Sequence, residues 1–121
     1  MIMNKELPSD IKAIFDNPDP IIWNGFWLAC LQKMLDCEHS LNIWSKLLVQ
    51  INVNHKKNKR LSLKKYIKWE IKAFVAKTIK LIESSVSQEM FIIKIQEYLE
   101  LKNLTLHDQD LIELYRDLND N

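Results

Sequence analysis

The sequence predicts an all-α domain, folded as a compact bundle or array of about five to six mostly antiparallel helices. Three observations carry that expectation. Apolar residues recur at spacings of three and four through most of the chain, the period of one helix face. The 121 residues hold one glycine and three prolines, and every proline falls within the first 20 positions, so little interrupts helix from Ile21 onward and the close-set turn residues of a sheet are missing. Hydrophobic residues make up 47% and charged residues 27%, which is average for a globular domain and remote from a disordered composition. A chain of this length buries one core, so residues 1–121 read as a single helical domain.

Ser9 and Asp10 ahead of Ile11, Ile14 and Phe15 predict a short capped helix that the stretch Asp16 to Pro20 ends. Asp19 followed by Pro20 has the form of an N-cap and a first helical position. It opens a second helix to about Cys37, with Trp23, Phe26, Trp27, Cys30, Leu31, Met34 and Leu35 inward. Gly25 falls inside that helix and marks a kink or a close helix contact, at a cost of roughly 1 kcal/mol against alanine. Ser40 caps a third helix with Leu41, Trp44, Leu47, Leu48 and Ile51 on one side. The polar run Asn52 to Arg60 is the best loop candidate, although Asn54 to Arg60 equally suits a helical extension.

Ser62 caps the longest helix, Leu63 to Glu83, with Ile67, Ile71, Phe74, Val75, Thr78 and Ile82 as its core stripe. Ser85 to Gln88 fits an S-x-x-Q capping box for a fifth helix, with Phe91, Ile92, Ile95, Tyr98 and Leu99 inward. Thr105 with Asp108 repeats the capping pattern before a last helix carrying Leu111, Leu114, Tyr115 and Leu118. The tryptophans at 23, 27, 44 and 69 follow no fixed period, which argues against a solenoid.

The first dozen residues carry charges and a proline where a secretory signal needs an apolar run, and no later window approaches the ~18 apolar residues of a membrane span. A cytoplasmic protein without membrane contact is expected. Cys30 and Cys37 stand seven residues apart on a predicted helix, hence about 10 Å along its axis and beyond disulfide reach, so reduced, half-buried thiols are expected.

Charge is distributed unevenly. Residues 1–55 hold four Lys/Arg and six Asp/Glu, residues 56–80 hold ten and one, and residues 81–121 hold three and nine, so a chain of net charge +1 conceals a basic middle and an acidic end. Two candidate docking faces follow: Lys56, Lys57, Lys59, Arg60, Lys64, Lys65 and Lys68 with Trp69, and Glu97, Glu100, Asp108, Asp110, Glu113 and Asp117. The bland alternative is that the two halves attract each other across the bundle. Internal pairing is expected for the lysines after Lys72, and docking for Lys56 to Lys68. On a helical wheel Trp69 falls opposite the apolar stripe, beside Lys65, Lys72, Ala73, Ala76 and Lys80. Burial against a second neighbour, admitted by the two alanines, is the preferred reading, and an exposed anchor ringed by lysines is the other.

Cys30, Cys37, Glu38, His39 and the run His107 to Asp110 contain metal-ligand types at no recognised spacing, so no metal and no cofactor is expected. Three scattered histidines and a single glycine offer no visible base for a nucleophile and no phosphate cradle, so no catalytic residue is assigned and the chain is not read as an enzyme.

What remains is a binding module with a protein partner, most concretely a stoichiometric inhibitor or immunity protein neutralising a toxin or defence enzyme. The general look is similar to that of bacterial immunity proteins and small phage inhibitors, a likeness of composition resting on no matching residues. A nucleic-acid-associated accessory protein using residues 56–80 is the first alternative, weakened by a basic segment in which Arg60 is the sole arginine. A helical subunit that associates with itself through its aromatic positions is the second.

Overall fold

The computed structural model describes residues 7–37, 40–57 and 61–119. Among them are six helices and no strand: α1 (Ser9–Asp16), α2 (Gly25–Leu35), α3 (Ser40–Lys57), α4 (Leu63–Glu83), α5 (Gln88–Leu101) and α6 (Asp108–Asn119). The all-α expectation holds. No helix among the described residues is long and apolar enough to cross a membrane.

α4 is the axis of the bundle, packing against each of the other five helices, while α2 also meets α3 and α5 meets α6. Its sequence suits that place. Ile67, Ile71, Phe74, Val75, Thr78, Ile79 and Leu81 are all buried, an arc of about 160° at 100° per residue and wider than a single surface stripe. Ile79 and Leu81 extend the predicted stripe, whereas Ile82 is only half-buried. Around this arc close Trp23, Trp44 and Phe91, with the Trp44 and Phe74 rings edge to face at 5.8 Å.

The helix starts depart from the sequence reading in instructive ways. Pro8, not Ser9, occupies the cap position of α1, without a side-chain bond. Asp19 organises only one turn: its carboxylate accepts from the Ile21 N–H at 3.0 Å, and its carbonyl accepts from Ile22 and Trp23 at 3.0 and 2.7 Å. The chain then breaks, and Asn24 caps anew by accepting from the Trp27 N–H at 3.2 Å. Gly25 is therefore the first residue of α2. A Cβ there would meet nothing within 4 Å, so the glycine marks neither a kink nor a close contact. The break buries Ile22 and Trp23 and leaves Phe26, assigned inward from the sequence, 57% exposed.

α3 continues to Lys57, so Asn52 to Lys57 belong to the helix and not to a loop. Helical geometry gives their polar groups partners: Asn54 donates to the Lys102 and Asn103 carbonyls at 3.3 and 3.1 Å, and His55 Nε2 stands 2.8 Å from the Leu61 carbonyl. The Ser40 cap expectation lies outside the described side chains. Ser62 caps α4 as predicted, accepting from the Lys65 N–H at 3.3 Å.

Ser85 does not cap α5. It ends α4 in the left-handed region at φ 57°, and Ser87, two residues on, accepts from the Met90 N–H at 3.2 Å. α6 begins at Asp108 without help from Thr105; the Asp110 carboxylate reaches back to the His107 N–H at 3.3 Å. Cys37 lies just beyond α2, and both cysteines are buried and unbridged.

A feature unread in the sequence ties the second half of the chain to the first. Asn42, Lys46, Gln50 and Asn54 repeat every four residues and so line one flank of α3. Asn42 Nδ2 and Lys46 Nζ donate to the two Asp110 oxygens at 3.1 and 2.8 Å. Gln50 brackets Thr105, accepting from its N–H at 2.6 Å and donating to its carbonyl at 2.8 Å. Asn54 exchanges amide bonds with Asn103, which itself sits at φ 59°. The connection from α5 to α6 has no strand or helix of its own, and this ladder satisfies its backbone.

Candidate partner-binding face

Lys56 and Lys57 are exposed in the last turn of α3, and Lys64 and Lys65 in the first turns of α4. Lys59 and Arg60 lie outside the described residues, as do Glu38 and His39. Lys68 is half-buried and, with Lys64, Asp10, Ala13, Asn17 and Ile67, lines a cleft of about 60 Å³ between α1 and α4. A second depression, lined by Ala29, Gln32, Lys33 and Asp36, takes all its walls from one flank of α2 and encloses nothing. Small-molecule sites are typically enclosed and of several hundred Å³, so neither suits one. No group of three or more His, Cys, Asp or Glu gathers among the described residues.

Trp69 is 41% exposed, which overturns the expectation that a second neighbour buries it. Ala73 and Ala76 are half-buried, and the group that approaches the indole is a charge: the Lys72 Nζ stands 5.4 Å from the centroid of Trp69 and 5.4 Å from that of Trp27. Trp27 in turn meets Phe26 edge to face at 4.9 Å. Four residues from α2 and α4 thus form a continuous run, Phe26, Trp27, Lys72, Trp69, on the surface. Each cation–π contact contributes about 0.5–1 kcal/mol at an exposed site. That energy holds the rings in place and lowers the entropy lost when a partner covers them.

Phe26 and Trp27 were assigned inward by their spacing; Trp27 does pack half-buried against the core, and nothing in the periodicity separates it from exposed Phe26. The signal that could have done so is Asn24, a strong N-cap residue one position ahead of glycine.

Among the described residues, no inter-helix ion pair matches these lysines. The ion pairs joining helices among the described residues are Lys46–Asp110 at 2.8 Å and Lys102–Glu70 at 3.6 Å. Neither links a lysine of α4 to an acidic residue of α5 or α6, so among the described residues the pairing expected beyond Lys72 does not form at contact distance. For Lys65 and Lys72 helix geometry gives a reason, one that does not extend to Lys77, which lies about 20° around the helix from Glu70. α5 packs on the flank of α4 that carries Glu70 and Phe74, whose ring lies 6.4 Å from that of Tyr98. Lys65 and Lys72 are about 140° and 160° around the helix from Glu70.

The acidic candidates do not form one face. Glu97 and Glu100 are exposed on α5, and exposed Asp108 accepts from Gln96 Nε2 at 3.0 Å. Asp110, 6% exposed, is consumed by Lys46, Asn42 and the His107 amide and presents no docking surface. Glu113 and Asp117 are half-buried, the former beside Gln109 at 3.5 Å.

Burial pushes the Cys37 thiol up to about 12, helped by the charges of Asp117 and Asp36, and its Sγ donates to the Lys33 carbonyl at 3.6 Å. Burial also raises Cys30, with Glu83 adding to it. Both are poor nucleophiles on that account.

Comparison with protein-family models, with curated proteins and with solved structures finds no match to this chain.

Proposed function

We propose that the protein is a binding module that recognises an acidic protein surface through the aromatic and lysine face of α2 and α4, in its most concrete form as a stoichiometric inhibitor of a toxin or defence enzyme. The observation that carries the reading is half-buried Lys72 held between half-buried Trp27 and exposed Trp69, flanked by exposed Lys65 and Phe26. Interface hot spots combine fixed aromatics with neighbouring charge that speeds encounter. Such a module needs no chemistry of its own: it covers the partner's working surface.

The test is capture on immobilised protein, with a Trp69→Ala/Lys72→Glu variant in parallel, followed by titration of the purified captured protein. A 1:1 complex that the variant loses supports the reading. Equal capture by the variant refutes it. Binding of a random DNA duplex or single-stranded RNA, falling steeply with salt, would instead favour the nucleic-acid alternative.

A further inference from the structure

We propose that the chain also associates head to tail with a second copy of itself, the basic face of α4 receiving the outward face of α5. The α5 face is unpartnered. Glu89, Met90, Ile93, Glu97, Glu100 and Leu101 are all exposed and share an arc of about 120°, opposite buried Phe91, Ile95 and Leu99. Ile93 is 46% and Leu101 87% exposed, an apolar strip that a solitary surface helix ordinarily avoids.

Glu89, Glu97 and Glu100 flank that strip, with exposed Lys94 at its edge beside Leu101, while on α4 Lys65 and Lys72 stand beside Trp69, so each face offers an apolar anchor next to a net charge opposite to the other's. Within one molecule the two cannot meet, because α5 occupies the flank of α4 turned away from Trp69. Between molecules nothing prevents it. The net charge of +1 leaves little long-range repulsion between copies to oppose contact.

Because the two surfaces differ, the contact is heterologous: each added copy leaves one face of each kind open, and growth continues unless the rotation closes a ring. A copy seated on α4 also covers Trp69, so self-association and capture of an acidic partner exclude each other. The inference itself does not depend on that partner, since it is read on the purified chain alone.

Sedimentation velocity from about 10 to about 500 μM, the range in which weak contacts populate, tests it. The weight-average mass should rise past that of a dimer at low salt and fall back at high salt. Lys65→Glu/Lys72→Glu and Glu97→Lys/Glu100→Lys variants, each checked for unchanged helicity, should separately remain monomeric. Mixed in equal amounts they should regain growth beyond a dimer, because each retains one working face and the two reversed faces again carry opposite charge. A monomer at every concentration, a wild type that stops at a dimer, reversals without effect, or a mixture that stays monomeric would each overturn the proposal. Should the doubly substituted chains fail to fold, Trp69→Ala and Ile93→Glu serve with single changes, and their mixture should stop at a dimer because each retains one working face.

Discussion

Thr78 stands at the centre of the axial helix with 0% exposure, and its Oγ1 has no hydrogen-bond partner among the described residues. A hydroxyl removed from water without compensation costs about 1–3 kcal/mol. Valine has the same branched shape, so Thr78→Val leaves no cavity and loses no bond, and helix propensity barely changes. Stability should rise by about 1–2 kcal/mol, which for a chain of this length lifts the melting temperature by about 4–8 °C. Thr78→Ser, which keeps the hydroxyl and deletes the methyl, should lower it by about 1–2 kcal/mol. Thermal unfolding followed by circular dichroism measures both. A valine variant less stable than the parent would mean that the hydroxyl is bonded and that the packing about α4 is misdescribed.

Gln50→Ala removes both bonds to Thr105 and should cost about 1–2 kcal/mol, with hydrogen exchange at the Thr105 amide accelerating more than that at α4 amides. Asp110→Ala should cost about 2–3 kcal/mol, because it strips the acceptor from Asn42, from the His107 amide and from Lys46, whose partial exposure lets it return to water. Cys30 and Cys37 should both be alkylated after denaturation without reductant, and Cys37 only slowly in the native state at neutral pH. The Cys37 proton is held more tightly folded than unfolded, so its contribution is intact below pH 9.0 and is lost as pH rises towards about 12. Base titration should therefore lower the melting temperature across that window, and Cys37→Ala should flatten the decline.

The bundle was legible because its periodicities are strong: Leu63 to Glu83 emerged with both ends in place, and Ser62 caps it as read. What failed is local competition. Asp19–Pro20 and Asn24–Gly25 both resemble helix starts, and burial of Ile22 and Trp23 decides between them. Ser85 and Ser87 compete likewise, and the left-handed residue that ends α4 settles it. The candidate face was half legible. Trp69 and its lysines stood out on a wheel, but its contact with Trp27 through Lys72 joins two helices whose packing no single-helix pattern reveals. The four-residue ladder on α3 was present in the sequence as Asn42, Lys46, Gln50 and Asn54. Its partners, 48 to 68 residues away, were not.

The central claim is that the lysines around Trp69 face outward for binding and do not brace the fold. Reversing Lys65 and Lys72 together to Glu and measuring the melting temperature beside the association rate with the captured partner tests it on one variant. The expected stability loss is about 1–2 kcal/mol, from exposed Lys65 and from half-buried Lys72 with its two cation–π contacts, with the on-rate falling about tenfold at low salt and less at high salt. A large loss of stability with association unchanged would contradict it, by showing that these charges serve the bundle itself.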